Sequence, residues 1–330
     1  MVEFRALRAS EMDAWFDHCA AVFNQTNDFE ASRQYFMNHW YNDPWRERHG
    51  ILVAVDAGEI LSTVRVFHRR IYLAGDVFTM GGIGEVSTKA AYRRRGLSGR
   101  LLEMAITYMD AEGMDFSMLA TGTPGHYSRF GWEEVTTYWK QAEISPLQCG
   151  DIRLLRLQEP EELQQIMNLY ELYSSRLNGA IVRDRWDYWQ DWVRTEITRG
   201  WFAQGRGRGW ALRESGEIKA YLVAAWDLGS DTLFVNDFAS RDDEAQSFSK
   251  LIRHAVWSLG DGRPAKVLFP AAVASDFPTE LQARDGLMVR VNNEEAWKRL
   301  PQASLQEVFH GSSGGDGSTS KLVSWGIDGY

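Results

Sequence analysis

The stretch Met80–Trp132, MGGIGEVSTKAAYRRRGLSGRLLEMAITYMDAEGMDFSMLATGTPGHYSRFGW, decides the fold. An apolar run from Met80 to Val86 passes through Ser87 and Thr88 into a basic turn, Arg93-Arg94-Arg95-Gly96-Leu97-Ser98-Gly99. Leu101, Leu102, Ala105, Ile106 and Met109 then recur on one helix face, and the helix stops at Gly113. A second apolar run, Phe116 to Ala120, completes a strand–turn–helix–strand unit. A helix entered through glycine and small residues leaves its first N–H groups free, and its dipole favours an anion there. Gly96 and Gly99 let the backbone approach a pyrophosphate closely, while the arginines place positive charge at the rim. Alone, such a turn also describes a solvated helix start. Set between two strands, it reads as an anion site.

The same residues carry a family resemblance. Arg93-x-x-Gly96-x-Ser98 resembles motif A of the GNAT superfamily of N-acetyltransferases, Arg/Gln-x-x-Gly-x-Gly/Ala, with a serine at the last small position. Tyr127-Ser128-Arg129-Phe130-Gly131-Trp132 is similar to the family's Tyr-x-x-Phe-Gly-aromatic segment, above all in the Eis-like (enhanced intracellular survival) branch. The motifs lie within Met80–Trp132, and the wider likeness runs over residues 1–145. The resemblance implies an acetyl-CoA-dependent enzyme that moves an acetyl group to a primary amine by direct attack in a ternary complex. Arg94, Arg95, Gly96, Leu97, Ser98 and Gly99 would cradle the diphosphate, and backbone groups of Val86, Ser87 and Thr88 would meet the pantetheine arm. Tyr127 matches the family's acid: a phenol that stays protonated at neutral pH can reprotonate the leaving thiolate. For the base, Glu85 lies on the strand where many members carry a carboxylate. The chain-end carboxylate of Tyr330 is a second candidate, because Eis-like enzymes place their C-terminus in the active site; water is a third.

Composition narrows the setting. The 330 residues suggest more than one domain, and 44% apolar with 25% charged residues describe a globular protein. A net charge of −9 without a basic stripe argues against nucleic acid and suits an amine substrate. Cys19 and Cys149 form no disulfide framework, no run approaches membrane-spanning length, and the opening residues lack a signal peptide. The expected place is therefore the cytoplasm, with no membrane partner. The seven histidines show no metal spacing, so no metal is expected. Assembly into a homo-oligomer stays open.

Along the chain, a strand at Phe4–Leu7, helices after Ser10 and over Glu30–Trp40, and a meander of Ile51–Val55, Ile60–Val66, Arg70–Leu73 and Val77–Thr79 precede the deciding stretch. After a strand at Tyr138–Ile144 the order repeats. Asp151–Leu155 is a strand and Pro160–Leu177 a helix; strands follow at Trp201–Gln204, Trp210–Arg213, Ile218–Ala225 and Leu233–Phe238. A helix over Glu244–Leu259 and strands at Lys266–Phe269 and Met288–Val291 close the set. This reads as an internal duplication at a period of about 150 residues. The fold class expected is α/β with mixed sheets: tandem GNAT folds in which residues 1–147 are catalytic and 148–300 degenerate. In the second copy, Arg241-Asp242-Asp243-Glu244 replaces the basic turn, and those carboxylates would repel a pyrophosphate. Residues 301–330 form a Gly/Ser-rich linker, Gly311–Ser320, and an apolar tail, Lys321–Tyr330, expected to dock. The Eis-like branch ends in a further sterol-carrier-like domain, for which this tail is too short.

Other features have plainer readings. Trp186, Trp189 and Trp192, three apart, form one helix stripe that packs a core or walls a cleft, and Asp184, Asp187 and Asp191 suit a solvated face. His126 titrates more conveniently than Tyr127, but the motif match favours the phenol. Aminoglycosides, polyamines, lysine side chains and amino sugars are all compatible acceptors. An acyl-CoA-binding sensor without turnover would use the same cradle. A purely structural module would not bind acetyl-CoA at all.

Overall fold

Among the described residues, apolar runs punctuated by tight turns build twelve strands into one sheet. The computed structural model describes residues 1–23, 28–199, 206–227, 229–301, 304–311 and 320–328. In the first half the strands are β1 (Glu3–Ala6), β2 (Ile51–Asp56), β3 (Glu59–Leu73), β4 (Asp76–Thr88), β5 (Phe116–Ala120) and β6 (Glu133–Ile144). The second half supplies β7 (Ile152–Leu154), β8 (Gly207–Glu214), β9 (Glu217–Asp227), β10 (Thr232–Ser240), β11 (Ala265–Pro270) and β12 (Glu280–Val291). The strand at Trp201–Gln204 and the linker's residues 312–319 fall outside the described residues.

The strand order is β1-β2-β3-β4-β5-β12-β6-β11-β10-β9-β8-β7. Each half therefore lends its sixth strand to the other. β12 lies between β5 and β6, and β6 lies between β12 and β11. Left alone, β5 and β11 would each end a half-sheet with unpaired N–H and C=O groups; the exchange covers both edges. The sheet is mixed because only β4–β5 and β10–β11 run parallel. Residue 147, read as the end of the first copy, follows β6, a strand paired on both sides with the second copy.

Helices cover the sheet. In the first half α1 (Met12–Phe23) buries Trp15, Phe16 and Cys19, and α2 (Phe29–Tyr41) starts at Asp28, whose carboxylate accepts the Ala31 amide at 3.0 Å. The helix of the deciding stretch is α3 (Leu97–Ala111), followed by the single turn α4 (Gly125–Ser128). In the second half α5 (Pro160–Ser174) and α7 (Glu244–Leu259) flank the sheet, with α6 (Arg194–Arg199) between them in sequence. Short α8 (Glu294–Lys298) and α9 (Leu305–His310) lead to the tail. No described helix is long and apolar enough to cross a membrane.

Several elements differ from the sequence reading. Ile60–Val66 and Arg70–Leu73 belong to one unbroken strand, β3. β6 and β12 begin well before their apolar runs, because their first residues, such as Glu133 and Glu280, are exposed and polar and owe their order to pairing. α5 ends at Ser174, short of Leu177. Of the tryptophan stripe, Trp189 and Trp192 lie on a π-helical turn, Tyr188–Val193, that leads into α6, and Trp186 lies just before it. There Trp189 and Trp192 are core residues.

The tail docks, as its composition suggests. Asn178 accepts the Val323 amide through its carbonyl and donates its own amide to Lys321 O, both at 2.9 Å. Its side chain reaches Val308 O and Phe309 O of α9 and the Ala74 amide of the β3–β4 turn. Further along, the buried Asp328 carboxylate takes two hydrogen bonds from Arg183, each 2.7 Å, and one from the Tyr188 hydroxyl at 2.9 Å. Arg183 also reaches Asp237 of β10, so one buried guanidinium joins the tail to the second half of the sheet.

Two stability predictions follow from this packing. Asp328→Ala leaves Arg183 buried with one carboxylate fewer, and should cost about 3 kcal/mol, read as a lower denaturant midpoint; an unchanged midpoint would show the latch contributes nothing. His18 of α1 is buried between Ile60 O (3.1 Å) and Ser87 Oγ (3.0 Å), and burial lowers its pKa from 6.5 to about 4. The unfolded chain takes up this proton first, so the stability is complete above pH 6.5 and lost as pH falls toward 4. The loss should reach about 3 kcal/mol in denaturation series across that window, and His18→Gln should remove that part of the slope.

Candidate active site

The site begins where two strands part. β4 pairs with β5 only over Met80–Gly82, against Phe116–Met118. Beyond Gly82, β4 continues to Thr88 and β5 to Ala120 with no pairing between them, leaving a wedge whose walls are backbone edges. The register of β4 with β3 shifts between Thr63 and Arg65, and Glu85 opposite this irregularity has φ 53°. A bulge of this kind re-aims a side chain and bends its strand. Here it aims Glu85 into a cavity of about 700 Å³. Val86, His39, Tyr127, Glu196 and Gly326 share the lining.

The electrostatics of Glu85 follow from its surroundings. One oxygen, Oε1, accepts from Arg65 Nη1 at 3.3 Å; buried Oε2 has no hydrogen-bond partner among the described residues. Arg65 also holds Asp43 at 3.1 Å, and Asp43 holds Arg69 at 3.0 Å. Burial pushes the Glu85 carboxyl above the ordinary value of 4.5, and Arg65 opposes that rise. Across the cavity, His39 Nε2 lies 3.4 Å from Glu196 Oε1, at ion-pair distance but without hydrogen-bond geometry. Glu196 belongs to α6, so the second half supplies part of this chamber.

Tyr127 sits on α4, buried, with its ring edge-on to Trp132 at 6.3 Å. Burial raises its phenol above the usual 10, and hydrogen bonding with Thr121 works against the rise. His126 is turned instead toward the start of α3, with Nε2 3.3 Å from Ser98 Oγ. Its pKa is lowered by burial and then by Arg129. The structure thus brings Glu85, Val86 and Tyr127 to one chamber and sets His126 apart from it.

The start of α3 is a separate cluster. Gly96 is the N-cap with φ 77°, a left-handed conformation that suits glycine. Arg100 N is the first amide to find a carbonyl, that of Gly96 at 3.1 Å, so the amides of Leu97, Ser98 and Gly99 point outward without backbone partners among the described residues. A Cβ at Gly99 would come within 3.1 Å of Arg129 Nη2, so its absence lets Arg129 lie over the helix start. Arg94 is exposed with φ 61°, and Arg95 lies over the Tyr92 ring. Arg94 and Arg129 have no ion pair among the described residues. Ser87 and Thr88 turn their hydroxyls to His18 and Ser62, and their strand edge faces the wedge. Sequence spacing did not single out Arg129, although it lies inside the Tyr127–Trp132 stretch. His39, Glu196 and Gly326 left no local signal, since three distant segments meet only in the fold. Tyr330 lies outside the described residues; the described tail reaches the chamber wall at Gly326.

The second half shows the same frame without the cradle. Asp243 caps α7 with φ 45°, and Ser247 N bonds Asp243 O at 2.9 Å, as Arg100 does with Gly96. Next to it, the Glu244 carboxylate accepts from Tyr173 Oη at 2.6 Å and Ala274 N at 2.7 Å. A carboxylate fixed at this helix start repels a second anion.

Comparison with known proteins bears on the fold that carries this geometry. The sequence model of the acetyltransferase (GNAT) domain matches residues 3–135. No curated protein matches the sequence. Among solved structures, a GCN5-related N-acetyltransferase from Anabaena variabilis has a TM-score of 0.67 at 13% identity, covering 90% of this chain and 74% of that chain. Eis1 from Mycobacterium abscessus has a TM-score of 0.60 at 15% identity, covering 89% of this chain and 75% of that chain. The N-myristoyltransferase of Saccharomyces cerevisiae, solved with myristoyl-CoA, has a TM-score of 0.57 at 7% identity, covering 88% and 79%. At such identities the likeness concerns the fold, and it extends over both halves. Over residues 3–135 this chain thus matches the acetyltransferase domain of the GNAT superfamily.

Proposed function

We propose that the protein is an acetyl-CoA-dependent N-acetyltransferase acting on a primary amine. The observation that carries this reading is the meeting of an unpartnered carboxylate oxygen of Glu85 with Tyr127 in one chamber at the mouth of the β4–β5 wedge. The outward amides of Leu97, Ser98 and Gly99 suit a diphosphate, with Arg94, Arg95 and Arg129 supplying charge around it. The open edge of β4 at Val86–Thr88 offers backbone groups to a pantetheine amide chain. When bound, the thioester supplies an activated acetyl carbon; the C–N bond forms there as the C–S bond breaks. Glu85 takes the proton from the acceptor's ammonium, a task suited to a carboxyl whose pKa burial has raised above the ordinary value. Tyr127, kept protonated by its raised pKa, holds the proton that the departing thiolate needs. The chain-end carboxylate of Tyr330 is the alternative base, and water the third. Glu85 is preferred because it already faces the chamber.

Calorimetry with coenzyme A tests the cradle. Removing both unpaired arginines, in Arg94→Ala/Arg129→Ala, should weaken binding about tenfold or more, whereas Tyr127→Phe should leave it unchanged. No coenzyme A binding by the intact protein would end the proposal.

Initial rates across an amine panel and a pH series test the chemistry. Glu85→Gln should lower kcat/KM about a hundredfold and abolish the acidic limb, which in the native enzyme should lie above pH 4.5 and rise with pH as Glu85 loses its proton. Tyr127→Phe should lower kcat by a similar factor. Tight cofactor binding with no transfer to any amine would favour the acyl-CoA sensor instead.

A further inference from the structure

A second cavity of about 480 Å³ adjoins the reaction chamber, and Ala120, Thr121 and Gly326 line both. At the seam, Gly286 (φ 106°) brings β12 against Thr121, where a Cβ would come within 2.5 Å of the Thr121 carbonyl oxygen. The walls of this annex are largely apolar: Trp139 of β6, Phe234 of β10, and Leu322 and Trp325 of the docked tail. Arg284 of β12 lines it too, beside the register shift between Arg284 and Leu287.

Arg284 differs from the protein's other sheltered arginines. Arg65 and Arg69 share Asp43, and Arg183 holds Asp237 and Asp328. The Arg284 guanidinium packs 5.1 Å from the Trp139 ring and 5.7 Å from Phe234, and has no hydrogen bond or ion pair among the described residues. Asp285, exposed on the same cavity, lies 3.4 Å from the Thr136 hydroxyl instead. A guanidinium stacked on aromatic faces keeps its in-plane N–H fork available, and that fork fits a carboxylate with two parallel hydrogen bonds.

We propose that the annex is the acceptor's second subsite: Arg284 binds an anionic group, a carboxylate, at the end of the acceptor remote from its reacting amine. The inference rests on the acetyltransferase reading above and narrows its acceptor. The substrate class is a zwitterion with an apolar body, its amine beside Glu85 and Tyr127 and its carboxylate in the annex. A free α-amino acid has its carboxylate one carbon from its amine and cannot span two chambers. A polycation would bring positive charge to Arg284.

The test compares a homologous series of ω-aminocarboxylates with alkylamines of equal length, for wild type, Arg284→Gln and Arg284→Lys. Wild type should favour the carboxylates by about tenfold or more in kcat/KM at the best length; Arg284→Gln should erase the preference while still acetylating alkylamines, and Arg284→Lys should keep part of it. Independently of turnover, 4-phenylbutyrate should change the fluorescence of Trp139 and Trp325 in wild type and bind about tenfold more weakly to Arg284→Gln. Unchanged coenzyme A affinity in the variants shows that they are folded. Equal use of both series by wild type, or a preference that survives in Arg284→Gln, overturns the inference. So does Arg284-dependent binding of phenylbutyrate with no influence on acceptor choice. If no amine of either series is acetylated while phenylbutyrate binding still depends on Arg284, the acetyltransferase reading falls and the anion subsite stands.

Discussion

The parting of β4 from β5 is the constraint from which the rest of the site follows. Three paired residues hold the strands together at one end, and then each continues alone. Two parallel strands that separate in mid-sheet leave N–H and C=O groups without partners, which is costly unless something else meets them. The bulge at Glu85 bends β4 away, and α3 begins at the mouth of the gap with its own unpaired amides. A ligand of extended amide character ending in a diphosphate would satisfy both sets. That match of unmet donors to one chemical species is what the proposed function draws from the backbone geometry.

The second half retains the frame without an open anion site at its helix start. Its parallel pair, β10–β11, its bulge between Val235 and Asp237, and the left-handed cap of α7 all correspond to features of the first half. Yet Asp237 is committed to Arg183, and Glu244 to Tyr173 and Ala274. What the half contributes lies elsewhere. It lends β12 to cover β5, provides Glu196 to the chamber, and anchors the tail through Arg183. It is structurally necessary, because the exchanged strands give neither half a complete sheet.

The local geometry of α3 was legible in the sequence because it depends on residues next to one another. Gly96, the arginines and the apolar stripe are set by backbone freedom and helical period, and the structure keeps them adjacent. The duplication was legible for a related reason: two similar orders of elements recur at one spacing. The strand exchange was not, since β12 has the same pattern of side chains whether it pairs with β5 or with a strand of its own half. The polar first halves of β6 and β12 also escaped, because periodicity reports burial and those residues are exposed. Arg284 carries no signal in its neighbours, Ala283 and Asp285; only the fold shows that its counter-charge is missing.

The buried charges around Glu85 bear on the proposal that it acts as a base. Arg65 and Arg69 bring two positive charges, while Asp43 and an ionised Glu85 bring two negative ones, so the cluster is neutral when Glu85 is deprotonated. Protonating Glu85 leaves one excess positive charge in a low-dielectric site, which limits the rise in pKa that burial causes. An ammonium entering the chamber adds that same excess charge from the other side. Passing its proton to Glu85 does not remove the charge; it moves it from the amine nitrogen into the arginine cluster, where Asp43 is already in contact with both guanidiniums. The nitrogen is left with a free lone pair, the state in which an amine can attack. The arrangement favours a base strong enough to accept the proton in the occupied site and weak enough to release it once the product has gone.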